Sequence, residues 1–338
     1  MPELNVTSEA RRDAARAALQ SVFGNHPLSA LTPVIGGVSG ALIFRFQVQD
    51  RPYVLRIEPE RVALHHRERG FACMTAAAAE GAAPRLHHAD PVTGVAIMDF
   101  VSGRPLSSYP GGAAEFAKGL GTLVAKVQAA PLFPRLGDYP DVISELLIGL
   151  KNSPRLPPGE LEPHADGLAL IRSALPWYAS SLVPSHNDPN PRNILFDGER
   201  LWLIDWELAS RNDPLVDLAI LSTEFAETPD LEDILVSAAL GVAPDPRLRA
   251  RLHVIRLLTR LFYGCIVLDS LGDPWRSAQP AVGTAFTPAG FRRAVAEGRL
   301  VSGAPETAHA FAQMSLAAFL DGIAAPGFKD ALKLVEQG

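Results

Sequence analysis

The segment from Ser185 to Glu207, SHNDPNPRNILFDGERLWLIDWE, limits what this chain can fold into more than any other. Asn193-Ile-Leu-Phe and Leu201-Trp-Leu-Ile are two short β-prone runs. They are joined by Asp197-Gly198-Glu199-Arg200, and an Asp-Gly pair in that place is a strong hairpin signal. With those four residues as the loop, Phe196 faces Leu201 and Asn193 faces Ile204, so Asp205 lies one step beyond Asn193. The open end of the hairpin then presents an amide oxygen beside a carboxylate. Hard divalent cations such as Mg²⁺ take oxygen ligands and complete their shell with substrate phosphates and water, so this pair suits a metal-nucleotide site. Asp188 sits on the loop feeding the hairpin, where a carboxylate can orient a substrate hydroxyl. Singly these residues are ordinary turn chemistry, with Pro189 and Pro191 stiffening a loop. Their joint order, His-x-Asp-x4-Asn and then Asp after an apolar strand, is far less common.

The rest of the chain falls into two characters. Ser8 to Phe23 has apolar residues at helical spacing behind a Ser placed to cap it. Val34 to Val48 and Pro52 to Ile57 read as strands around a turn at Gln49-Asp50-Arg51. A helix is expected over roughly 61–80 and a strand over 94–99. Beyond Ser102-Gly103-Arg104-Pro105 the pattern is helical over 113–129, 142–151, 164–175, 231–240 and 248–268, interrupted by the β-rich stretch near 182–206. Pro154 to Pro163 and Gly272 to Gly290 read as loops. The expected architecture is α+β, with a small β-rich lobe over residues 1–101 and a larger, mainly helical lobe over 102–338. A cleft between such lobes is a usual ligand site.

HNDPNPRN followed by LIDWE resembles the catalytic loop and metal motif of the aminoglycoside phosphotransferase and choline kinase family, small-molecule relatives of protein kinases. The kinase pattern H-R-D-x-x-x-x-N is matched at His186, Asp188 and Asn193, and the D-F-G aspartate at Asp205. The resemblance implies a bilobal protein-kinase-like fold and ATP and Mg²⁺ as cofactors. It also implies transfer of the γ-phosphoryl group to a hydroxyl, with Asp188 as catalytic base, Asn193 and Asp205 on Mg²⁺, and His186 bracing the loop. Asp213-Pro-Leu-Val-Asp217-Leu-Ala resembles the start of the helix whose carboxylate, here Asp217, bonds the catalytic-loop backbone.

In the first lobe Gly36, Gly37, Ser39 and Gly40 resemble the glycine-rich loop over the phosphates, and Tyr53-Val-Leu-Arg56 stands where protein kinases carry V-A-I-K. Only five of the 31 basic residues are Lys, and the first of them is Lys118. Arg56 therefore takes the phosphate-neutralising place, which a guanidinium can fill by bridging oxygens bidentately. Glu68 resembles the helix glutamate that pairs with that cation, and Met98, Asp99 and Phe100 resemble the hinge beside adenine. Asn190 replaces a Lys that contacts the γ-phosphate in protein kinases, and Gly40 stands where many family members have a polar residue.

Composition narrows the acceptor class. A net charge of -6 gives no basic footprint for nucleic acid, and Cys73 and Cys265 form no zinc motif. The N-terminal segment has no apolar signal region and no apolar run approaches a membrane span, so a cytoplasmic protein with no membrane partner is expected. Asp205 and Asp217 are twelve residues apart with no A-P-E motif, too short a path for a peptide platform. A small-molecule acceptor follows, and the resemblance implies an amino-alcohol such as choline or ethanolamine, or an aminoglycoside or other antibiotic. Glu207, Asp213 and Glu224, with Trp206 and Phe225, could receive a cationic amine. Trp177, Tyr178, Phe262, Tyr263 and Trp275 could line an acceptor pocket. A metal-dependent hydrolase using His186 and Asp188 as ligands, or an inactive nucleotide-binding scaffold, are the other classes left open.

Overall fold

The computed structural model describes residues 8–34, 40–59, 62, 64–153, 156–175, 177, 181–272 and 286–336. The expected glycine-loop residues Gly36, Gly37 and Ser39 lie outside them, as do Tyr178 and Trp275. The chain forms two compact units, one of residues 1–136 and 182–243 and the other of residues 137–181 and 244–338.

The first unit opens with α1 (Glu9–Phe23), which starts directly after Ser8, although the Ser8 hydroxyl makes no capping bond. Five antiparallel strands follow: β1 (Thr32–Pro33), β2 (Leu42–Val48), β3 (Arg51–Ile57), β4 (Leu86–Asp90) and β5 (Val95–Asp99), in the order β1-β2-β3-β5-β4. Of the strand expected over Val34–Val48, the described residues form β2 from Leu42 onward. Gln49 and Asp50 both take positive φ, 48° and 64°, between the paired residues Val48 and Arg51, the left-handed pair that a two-residue hairpin demands. Alternation then decides the faces. Phe44, Phe46, Val48, Tyr53, Leu55 and Ile57 share one side with Val95 and Ile97, and Ala15, Leu19 and Phe23 of α1 cover it. Val54 and Arg56 project from the other side of β3, and Arg56 pairs in register with the small Ala96.

Helix α2 (Leu64–Ala79) packs against the turn at Trp206–Leu208, whose carbonyl at Trp206 is 3.5 Å from where a Cβ on Gly70 would sit. Helix α3 (Gly112–Ala129) leads out of this part of the unit.

The second unit begins with α4 (Tyr139–Lys151) and α5 (Glu162–Ala174). The chain then returns to the first unit in two small hairpin-like pairs. β6 (Val183–Ser185) pairs with β9 (Ser210–Asn212), and β7 (Ile194–Phe196) pairs with β8 (Leu201–Leu203). Helices α6 (Val216–Phe225) and α7 (Pro229–Leu240) complete it. The second unit resumes with α8 (Pro246–Ser270), α9 (Pro288–Ala296), α10 (Pro305–Ala324) and α11 (Pro326–Glu336). Each of these four starts on Pro, whose fixed φ and missing N–H suit a first helical turn. Within this unit α8 is the buried spine, and Leu316 of α10 closes on Gly264. Among the described residues no helix is long and apolar enough to cross a membrane.

Gly121 lets the backbones of α3 and α7 meet. A Cβ there would lie 2.3 Å from the carbonyl oxygen of Leu235, a backbone atom that cannot swing aside. Gly121→Ala is expected to cost about 1–3 kcal/mol through helix displacement, read as a lower midpoint in chemical denaturation.

Candidate active site

The β7–β8 hairpin has the register its sequence implies. Ile194 pairs with Leu203, Leu195 with Trp202 and Phe196 with Leu201, and the Ile204 N–H donates to the Asn193 carbonyl at 2.9 Å. Asp197 closes the loop by accepting from the N–H groups of Glu199 and Arg200, both at 2.8 Å. Asn193 and Asp205 therefore stand at the open end, as expected. Asn193 Nδ2 donates to Asp188 Oδ2 and to the Asp188 carbonyl, each at 2.9 Å, which leaves Oδ1 as the acceptor of that side chain. Asn190 holds the other carboxylate oxygen, donating from Nδ2 to Asp188 Oδ1 at 2.8 Å, while its own Oδ1 accepts the Arg192 N–H at 2.9 Å. Asn190 is thus a structural partner of Asp188, a role its place in the sequence did not announce.

His186 braces the loop through both ring nitrogens. Nε2 donates to the Ile204 carbonyl at 2.9 Å, which fixes the tautomer and leaves Nδ1 to accept the Asp188 N–H at 3.3 Å. The ring meets buried Trp206 edge-on, with centroids 4.6 Å apart, and Trp206 meets Phe133 on its own far side. Asp217 accepts the N–H groups of His186 and Asn187, each at 2.8 Å. Burial pushes the Asp217 carboxyl up from the ordinary carboxylate range, while His186 and these two N–H groups pull against that.

Asn187 has φ of 63° and every hydrogen-bonding position of its buried side chain is filled. Nδ2 donates to the Leu208 carbonyl and to Ser210 Oγ, both at 2.9 Å. Oδ1 accepts from Ser185 Oγ at 2.9 Å and from Asn212 Nδ2 at 2.7 Å.

Asp205 is also left-handed, with φ of 68°, and opens the short 3₁₀ turn Trp206–Leu208. This backbone turns its carboxylate toward Arg56, whose Nη2 donates to Asp205 Oδ1 at 3.3 Å and to Glu207 Oε1. The Arg56 Nε donates to Glu58 Oε1 at 2.6 Å. Burial by itself lowers the pKa of this guanidinium, but the charges of Glu58, Asp205 and Glu207 and the Glu58 hydrogen bond carry it above the ordinary arginine value. Arg56 is therefore a permanent cation.

Several expectations require correction. Glu68 is exposed on α2, and the carboxylates described on Arg56 are Glu58, Asp205 and Glu207 instead. The residue of α2 that reaches the Asp205 turn is buried Arg69, which donates to the carbonyls of Ala209 at 2.6 Å and Glu207 at 3.0 Å. Trp206 is buried against His186 and Phe133, so its face is not open to a cationic amine. Asp213 is buried and accepts the Leu215 N–H at 2.9 Å at the entry to α6. Phe225 is half-buried, edge-on to Phe116 at 5.3 Å. At the expected hinge, Met98 is buried in β5, and the N–H groups of Asp99 and Phe100 donate to the carbonyls of Arg85 and Pro52. Asp99 Oδ1 is 2.7 Å from His87 Nε2, and Arg45 lies 4.3 Å over the Phe100 ring. Gly40 has φ of 76°, a backbone that suits glycine. Within the second unit Trp177 stacks on Tyr139, and Tyr139 packs on Phe262, which meets Tyr263.

Glu58 and Arg69 went unread in the sequence, and Asn190 was read there only as the replacement of a Lys. The first has a local signal, since residues two apart on a strand share a face. Among the described residues no group of three or more His, Cys, Asp or Glu side chains is placed to hold a metal. Mg²⁺ needs no such cage when substrate phosphates complete its shell, and Asn193 Oδ1 with the Asp205 carboxylate is a donor set that fits it.

Asn187→Ala should cost about 2–4 kcal/mol, about 1 from the left-handed backbone and the rest from buried groups left without partners. Asn187→Gly relieves the backbone part and should be about 1 kcal/mol less damaging by chemical denaturation.

Comparison with known proteins places this geometry in a family. Residues 31–252 match the model of the phosphotransferase enzyme family. A stretch of 55 residues is 42% identical to protein LicA of Haemophilus influenzae, covering 16% of this chain and 21% of that one, so the chain matches only about a fifth of that relative's length. The fold is similar to that of a choline/ethanolamine kinase family protein from Mesorhizobium loti, with a TM-score of 0.67, 24% identity, and coverage of 97% of this chain and 100% of that one. It is also similar to a spectinomycin phosphotransferase in complex with ADP and spectinomycin, with a TM-score of 0.52, 13% identity, and coverage of 90% and 98%. By its match over most of its length and by the catalytic-loop geometry that match encloses, the chain belongs to the phosphotransferase enzyme family.

Proposed function

We propose that this protein is an ATP-dependent small-molecule kinase, transferring the γ-phosphoryl group to a hydroxyl of an amino-alcohol such as choline or ethanolamine. The observation that carries the reading is the open end of the β7–β8 hairpin, where Asn193 both orients Asp188 and offers Oδ1 beside Asp205. In such a site Asp188 orients the acceptor hydroxyl and takes up its proton, and Arg56 on β3 neutralises phosphate charge. Mg²⁺, held by Asn193 and Asp205, supplies charge neutralisation on the phosphates when bound. Residues 1–101 would carry the nucleotide.

The acceptor class is supported by the path from Asp205 to Asp217. It is filled by one 3₁₀ turn, the three residues of β9 and buried Asp213, leaving no extended segment on which a peptide could lie. The relatives named above include both choline-type and drug-directed enzymes, so the acceptor is decided by assay. A reducing, cytoplasmic setting accords with two buried free cysteines, whose thiols burial pushes up to about 12.

Asp188→Asn should leave Mg²⁺-dependent ADP binding within about twofold while turnover falls by about 10²- to 10⁴-fold. ADP release is measured with choline, ethanolamine, thiamine, homoserine and aminoglycosides as acceptors. Binding of ADP with no release on any hydroxyl acceptor would indicate a scaffold, and acceptor-independent hydrolysis would indicate a hydrolase. Undiminished turnover in Asp188→Asn would remove the assigned role of Asp188.

A further inference from the structure

We propose that Glu58 is the positioning residue for Arg56, fixing its guanidinium from within the sheet and leaving Asp205 and Glu207 exchangeable, a task the family resemblance gives to Glu68. The inference rests on the reading of Arg56 and Asp205 as phosphate and metal groups.

The two edges of the guanidinium meet different kinds of acid. Nε faces Glu58, whose side chain is 6% exposed, whereas Nη2 faces Asp205 and Glu207, at 36% and 41%. Glu58 is fixed at its backbone as well. Its N–H donates to the Gly94 carbonyl at 2.8 Å, extending the β3–β5 ladder by one residue, and a Cβ on Gly94 would lie 3.2 Å from the Glu58 Cβ. A carboxylate buried there without a cation would be costly, so Glu58 and Arg56 hold each other. The solvent-facing acids have no such obligation. A phosphate oxygen at Nη2 and a ligand cation at Asp205 can replace that contact without touching the Nε edge.

The consequence concerns metal dependence. Without the Glu58 charge, Arg56 leans wholly on Asp205 and Glu207, and the guanidinium competes with the ligand cation for Asp205. ADP binding to the full chain is titrated with Mg²⁺ by calorimetry, alongside melting temperature without nucleotide. Glu58→Gln should raise the Mg²⁺ midpoint about tenfold, and Glu58→Asp by less. In an Arg56→Ala background, Glu58→Gln should shift that midpoint by less than twofold. A purely structural role would lower the melting temperature and the active fraction while leaving the midpoint in place, and that result overturns the proposal. So does an equal shift in the Arg56→Ala background, or a shift produced by Glu68→Gln in place of Glu58→Gln. If the wild-type chain shows no Mg²⁺-dependent ADP binding, the phosphotransfer reading falls first and this inference with it.

Discussion

The site is organised by one buried carboxylate. Asp217 sits in the first turn of α6 and accepts two consecutive peptide N–H groups, those of His186 and Asn187. The left-handed φ of Asn187 then turns the chain just beyond the second donor, toward Asp188. Burying a charge is expensive, and the helix N-terminus together with two N–H donors is the arrangement that offsets it. From this anchor a continuous hydrogen-bonded path runs through the His186 ring to the Ile204 carbonyl, one residue before Asp205. Asp188 and Asp205 are therefore placed by backbone and imidazole contacts inside a single compact unit.

Two left-handed non-glycine residues, Asn187 and Asp205, flank the hairpin segment that holds Asp188 and Asn193. Each conformation costs about 1–2 kcal/mol for an ordinary L-residue, less for Asn and Asp, and persists where surrounding contacts over-determine it. Asn187 is over-determined by four side-chain hydrogen bonds and Asp205 by the burial of Trp206 directly after it. Arg69 ties the same turn to α2 by bonding two of its carbonyls, and desolvation in that place lowers its guanidinium. Side-chain donors aimed at backbone carbonyls, together with the Arg56 ion pairs, fix the turn after Asp205.

What was legible in the sequence was what depends on local period. The Asp-Gly turn and the alternation around it set the register of β7 and β8, and with it the neighbourhood of Asn193 and Asp205. Helices α3, α7 and α8 were legible from their apolar spacing to within two or three residues at their starts, and the caps by Thr228 and Asp245 explain where the latter two begin. Helices α9 to α11 went unread, although Pro288, Pro305 and Pro326 mark their first turns; alanines blur the apolar stripe of α10, whereas the stripes of α9 and α11 were present and were missed. Residues whose role depends on tertiary neighbours were misread. Asp213 and Trp206 look like polar and aromatic surface beside a motif, and packing buries both. Glu68 was favoured because kinases draw this partner from a helix, whereas the pleat of β3 supplies Glu58 two residues from Arg56.

That difference gives the scarcity of lysine a physical meaning. An ammonium is a compact point charge whose donors share one atom, so an anchor and a phosphate compete for the same centre. A guanidinium spreads five donors along a rigid fork, and one edge can be held while another is offered. β3 uses that shape. Nε is committed to a buried acid on the same strand, and Nη2 faces outward to acids that are partly exposed. A strand that carries its own anchor frees α2 from supplying one, and α2 is instead fastened to the turn after Asp205 through Arg69. Arginine at this position, glutamate two residues later and an exposed Glu68 are therefore one arrangement, in which each feature makes the others possible.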